Sequence, residues 1–258
     1  MRGLIAAEWL KTTSTKMWWI LFIVAAALTL LSSLPVLLLS GTVDPETGEP
    51  LVSGAFTDPA AVRSLFTTMG SATIIALVLG ILAFTGEYRH QTITDTFLTE
   101  PRRLHVVVAK SVVAALFGAL LAALTSAVAL IAIFAVLSSR EHAPVDWGNV
   151  GITFAAVIVA YALYAVLGVG LGALVTNQIA AIVLALLWVL LLESLIVALK
   201  PAVGEWLPGG AAAAVLSTPD SELATQLLPP WAGVVVLLGY AALFGGAAAT
   251  TTLRRDIT

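Results

Sequence analysis

Residues 149–199 read NVGITFAAVIVAYALYAVLGVGLGALVTNQIAAIVLALLWVLLLESLIVAL, and this stretch decides the fold. A hydrocarbon core about 30 Å thick is crossed by about 20 helical residues rising 1.5 Å each. Two runs of that length stand here, joined by Thr176-Asn177-Gln178 alone. So short a connection makes them antiparallel neighbours. Between them they hold a single charged residue, Glu193.

Working outward, the same reading predicts spans near 18–39, 65–86, 106–137, 149–175, 179–199 and 231–253. The 258 residues are 60% apolar and 10% charged, with a mean hydropathy of +1.03, which fits no soluble domain. The apolar runs are continuous, whereas barrel strands alternate apolar and polar positions. The expected fold is therefore all-α: one transmembrane domain over 1–258, a polytopic membrane protein with six transmembrane helices. The first run is too long for a signal core, and Lys11 and Lys16 sit against it, so it reads as a retained anchor. Residues 1–17 mix Leu4, Ile5, Trp9 and Leu10 with Glu8, Lys11, Thr12 and Lys16. They predict an interfacial helix whose Lys11 and Lys16 reach headgroup phosphates.

Sorting the basic residues orients the chain. With both termini cytoplasmic, the inner side holds Arg2, Lys11, Lys16, Arg89, Arg102, Arg103, Lys110, Arg254 and Arg255, and the outer side only Arg63, Arg140 and Lys200. That imbalance is the one expected of a plasma-membrane protein with both ends inside, bacterial by this reading. The outer loop 40–64 carries the turn-rich string Asp44–Pro50, and the outer loop 200–230 predicts brief helices at or in the interface. A net charge of −3 with scattered cations argues against nucleic acid as a partner and leaves lipid as the surrounding medium. With no cysteine, and with His90, His105 and His142 dispersed, neither a metal site nor a nucleophilic triad is expected.

The most informative segment is the cytoplasmic loop 87–105 with its flanks, GEYRHQTITDTFLTEPRRLHVVVAK over 86–110. Apolar Phe97 and Leu98 stand among charges of both signs, a composition suited to docking a protein; the plainer reading is a solvated tether to the headgroups.

The order of an amino-terminal interfacial helix, six spans, Glu87 and Arg89 after span two, Thr92, Phe97-Leu98, Pro101-Arg102-Arg103, Lys110 and a final Arg254-Arg255-Asp256 resembles the permease subunits of type-2 ATP-binding-cassette exporters. The resemblance covers essentially the whole chain. It implies that the loop after span two forms a coupling helix seated on an ATPase subunit, through Glu87, Arg89, Thr92, Phe97, Leu98, Pro101, Arg102 and Arg103. It also implies that ATP and Mg²⁺ are bound by that partner and not by this chain, and that a second permease subunit, identical or related, completes the pathway. One departure is Gln91-Thr92, where the family often has Gly-Thr.

No Gly-x-x-x-x-Gly-Lys-Ser/Thr string is present, so hydrolysis is expected on another polypeptide and this chain is not read as an enzyme. Gly168-x-x-x-Gly172 reads as a face for close helix packing. Glu193 lies roughly 21 Å along its helix from the inner face, in the outer third, and is a candidate pathway residue with Thr68 and Ser71. The bland alternatives are outward snorkelling or pairing with Lys200 for Glu193, and hydrogen bonds to their own backbone for the hydroxyls, including those of Thr73, Thr125 and Ser126. The function expected is thus half of an exporter's pathway. The rivals are a membrane enzyme acting on lipid, and a non-transporting immunity or sensor subunit of the same fold.

Overall fold

The computed structural model describes residues 1–39, 42, 56–216 and 227–251; the string Asp44–Pro50 and the final Arg254-Arg255-Asp256 lie outside them. All regular structure among the described residues is helical, and six helices are long and apolar enough to span a membrane. The chain runs through α1 (Arg2–Ser14), α2 (Met17–Leu39), α3 (Pro59–Thr67), α4 (Thr73–Arg89), α5 (Ile93–Thr99) and α6 (Arg103–Leu137). It continues through α7 (Trp147–Leu174), α8 (Gln178–Leu187), α9 (Glu193–Leu199), α10 (Pro201–Gly204), α11 (Pro208–Leu216) and α12 (Pro230–Thr250).

Local chemistry sets several of these boundaries. Asp58 accepts from the Ala60 amide just before Pro59, Asp146 from Gly148 and Asn149, and Asn177 from Ala180, so each helix start has a side-chain acceptor for an otherwise orphaned N–H. The second span is one apolar run in sequence but two helices in the structure: α3 and α4 are separated by a 3₁₀ turn at Thr68–Gly70. The Tyr161 hydroxyl of α7 donates to the Met69 carbonyl at 3.4 Å, supplying a partner where the ladder is interrupted in an apolar setting.

α4, α6 and α7 form the centre of the bundle, with α2 against α6 and α12 against α7. The close approach of α4 and α7 depends on glycine. A Cβ at Gly168 would run into the Leu77 carbonyl, one at Gly80 into the Ala165 carbonyl, and one at Gly172 would lie 2.9 Å from the Ile81 carbonyl. Between membrane helices van der Waals contact substitutes for the missing hydrophobic drive, and absent side chains permit it. Gly168 and Gly172 thus serve as the packing face read from the sequence, with Gly80 as the facing partner that spacing alone did not reveal. After the tight turn at Asn177, α8 packs mainly on α4 and touches α7 little.

Candidate functional site

The end of α4 is capped by a backbone turn. Gln91 has φ of 57°, the Thr92 N–H donates to the Glu87 carbonyl at 2.9 Å, and the Gln91 N–H donates to Tyr88 at 3.3 Å. This is a Schellman-type end, in which the left-handed residue is ordinarily glycine. The Gly-to-Gln departure therefore falls on the strained residue itself. Gln91→Gly is expected to raise the thermal midpoint of the purified chain by relieving a strain of up to about 1 kcal/mol, and Gln91→Val to lower it.

α5 follows at once, turning Ile93 and Thr96 into the protein. Leu98 is 76% exposed, and Arg89, Thr92, Asp95, Pro101 and Arg102 of the same loop are exposed as well. Phe97 is half-buried beneath Arg103, whose guanidinium lies 5.0 Å from the ring centroid. The loop thus presents an exposed apolar residue together with exposed charges of both signs.

Behind α5 lies a closed set of charges. The buried Lys110 ammonium of α6 donates to Glu8 at 2.6 Å, to Glu87 at 2.8 Å and to the Ala83 carbonyl at 3.1 Å, which uses all three of its protons. Lys11 donates to Glu8 at 2.8 Å, to Glu87 at 2.7 Å and to the Thr96 hydroxyl at 3.2 Å. Thr96 in turn donates to the second Glu87 oxygen at 3.0 Å. Two cations and two anions cancel, and the set joins α1, α4, α5 and α6. Glu8, Glu87 and Lys110 are all buried, at 4%, 8% and 2% exposure, which is sustainable only because each is paired. Burial acts to lower the Lys11 pKa, but the hydrogen bonds and charges of Glu8 and Glu87 outweigh it and hold the group above the ordinary lysine value. A lysine raised in the folded state stabilises fully below its ordinary pKa and loses that contribution only as pH climbs through the raised one, so this ion pairing persists across the physiological range.

Two readings are corrected here. Lys11 does not reach for headgroups; it turns inward, because two carboxylates wait there. Glu87 is likewise no part of the loop's exposed face, since it is buried against Lys11 and Lys110. Glu8 and Lys110 belong to this set, although the sequence reading gives neither a site role and names Lys110 only in the charge sorting and the family resemblance. Their signals were a carboxylate inside an otherwise basic interfacial helix, and a lysine a full two turns into a long apolar one. With Glu8 and Lys11 turned inward, α1 leaves Leu10 68% exposed, as an interfacial helix requires.

The remaining candidates lie elsewhere. Thr68 donates to its own helix at Leu65 O, and Ser71 accepts from Ser32 at 2.7 Å. Thr73 and Thr125 also bond backbone carbonyls within their own helices or turns, whereas the buried Ser126 hydroxyl has no hydrogen bond among the described residues. Glu193, 5% exposed, does not snorkel outward, and no ion pair joins it to Lys200. One of its oxygens accepts from the Gly209 N–H at 2.7 Å. Among the described residues no cluster of three His, Asp or Glu side chains could hold a metal.

A model of the family described as ABC-2 family transporter protein matches residues 4–199. The chain belongs to this family. The matched region of this ABC-2 protein contains α1 from Leu4 onward, the charge set and the whole loop from Glu87 to Arg103. It is a multi-pass membrane protein, and ABC-2 membrane proteins generally work with ATPase subunits. No curated protein sequence matches the chain.

Proposed function

We propose that this ABC-2 protein is the permease subunit of an ATP-driven exporter, forming half of the pathway and receiving the movement of a separate ATPase subunit through α5. The observation that carries this reading is the two-sided construction of α5. Its outer side exposes Leu98 and Asp95, with Arg89 and Arg102 exposed in the flanking chain, while its inner side is tied through Thr96 and Glu87 to α1, α4 and α6. A push on α5 is therefore delivered to three other helices at once, instead of being lost in a loose loop. Such transmission requires different contacts in the two nucleotide states of the partner.

ATP and Mg²⁺ would sit on that partner, and this chain would contribute no catalytic residue. A second permease subunit would complete the pathway, and the fifth span, which shares few contacts within the chain, leaves a flank for it. Both termini and α5 would face the cytoplasm of a bacterial cell, as the excess of basic residues on that side supports.

The test is the double substitution Leu98→Asp/Arg102→Glu. Both side chains are exposed, so the thermal midpoint should stay within about 1–2 °C of the parent, each change being worth under about 0.5 kcal/mol. ATPase activity co-purifying with the tagged chain from native membranes should fall at least tenfold, about 1.4 kcal/mol of docking energy. Normal recovery of that activity, with normal transport, would leave α5 as a solvated tether.

A further inference from the structure

At the end of the bundle away from α5, the fifth span is not a continuous α-helix. A π-helical turn at Trp188–Leu192 separates α8 from α9, and Glu193 is the first residue after it. Such turns are rare, shift the phase of the side chains that follow, and often mark functional sites. Here the shift places the Glu193 carboxylate against α11, where one oxygen accepts from Gly209 at the helix start. The other oxygen is buried with no hydrogen bond among the described residues, and the Trp188 side chain is beside the carboxylate. A capping role accounts for one oxygen and leaves the second unexplained.

Glu193 stands in the wall of a cavity of about 570 Å³, within the range that holds a drug-sized molecule. Its lining includes Val189, Val197, Ala198 and Ala213, together with a second carboxylate, Glu205, and no basic residue among those described. A separate apolar cavity of about 490 Å³ lies across Val189 and Pro208 and includes Trp188 and Tyr240 in its wall. A carboxylate held in membrane without a counter-cation is costly, and a cation seated in the cavity would offset that cost. A bare divalent ion is a poor fit, since calcium takes 6–8 oxygen ligands and this wall supplies two carboxylates, one already committed to a backbone N–H. Apolar walls with an acidic point instead suit a molecule with a greasy body and one positive charge.

We infer that the cavity beside Glu193 binds lipophilic organic cations, with the carboxylate pairing to the charge and the valine- and alanine-lined wall accepting the apolar body. This deepens the permease reading by naming a class of cargo, and it rests on that reading only for the step from binding to transport.

The full chain in lipid nanodiscs, without nucleotide or ATPase, is titrated with tetraphenylphosphonium and with the equally sized anion tetraphenylborate. Saturable binding of the phosphonium alone is expected. Glu193→Gln, which keeps an acceptor for Gly209, should weaken it at least tenfold, and Ala213→Trp, which fills the cavity and leaves the carboxylate intact, should abolish it. Equal binding by the parent and Glu193→Gln, or by the parent and Ala213→Trp, would overturn the site and leave Glu193 as a helix cap. Equal binding of the two ions by the parent would also overturn it, as partition into lipid. Should Glu193→Gln fail to fold, Ala213→Trp decides the matter. Because no partner subunit is present, failure here leaves the coupling role of α5 standing, and failure of the Leu98→Asp/Arg102→Glu experiment leaves this site standing.

Discussion

Glu87→Ala is expected to lower stability by about 3–5 kcal/mol and to free α1 from the bundle, because it leaves Lys110 and Lys11 facing a single remaining carboxylate. The size follows from burial: the Lys110 side chain is 1% exposed and cannot rehydrate without moving a helix. Thermal unfolding of the purified chain measures the loss, and trypsin cleavage at Lys16, exposed after α1, reports its release. Lys110→Ala should behave similarly, since it strands Glu8 and Glu87 with only the half-exposed Lys11. The triple substitution Glu8→Met/Glu87→Met/Lys110→Met should be much milder than either single change, because it removes all three buried charges with their desolvation cost and leaves only Lys11, whose side chain is half-exposed and can hydrate. A triple variant as unstable as the sum of its parts would mean that the charges are not coupled. If it is stable but uncoupled from the ATPase, the charge set is there for rigid transmission, not for folding.

Gly168→Val is expected to abolish the folded bundle. At this position the obstacle to a side chain is the Leu77 carbonyl, a backbone atom in the second turn of α4 that cannot rotate aside. Overpacking a tight core ordinarily costs about 1–3 kcal/mol, and forcing two central helices apart exceeds that range, since every contact along the pair is stretched together. Gly80→Val should do the same from the other helix, against the Ala165 carbonyl. Gly151→Ala on the same α7 meets open space and is the control. Size-exclusion profiles of the three variants check the expectation: the first two should aggregate and Gly151→Ala should elute as the parent does. A monodisperse, stable Gly168→Val would show that α4 and α7 can separate without loss.

The sequence alone determined the membrane class, the six spanning helices and the loop with its apolar residues among charges. Each depends on a property summed over neighbouring residues: hydropathy over about 20 positions, or charge counted on the two sides of a bilayer. It also determined Gly168 and Gly172 as a packing face, because i and i+4 fall on one side of a helix. Only the tertiary structure decided which way charged side chains turn. Lys11 looked like a headgroup anchor, and became an internal ion pair because Glu8 of its own helix and Glu87, 76 positions away, both accept from it, while Lys110, 102 positions from Glu8, supplies the second cation to the same two carboxylates. The same holds for the break between α3 and α4, where a tyrosine 92 positions away supplies the hydrogen bond, and for Glu193, which found Gly209 instead of Lys200. Local pattern fixes where a helix lies in the membrane. The partner of a buried charge is fixed by the cost of leaving it unpaired, and that partner comes from wherever the bundle brings a complementary group within about 3 Å.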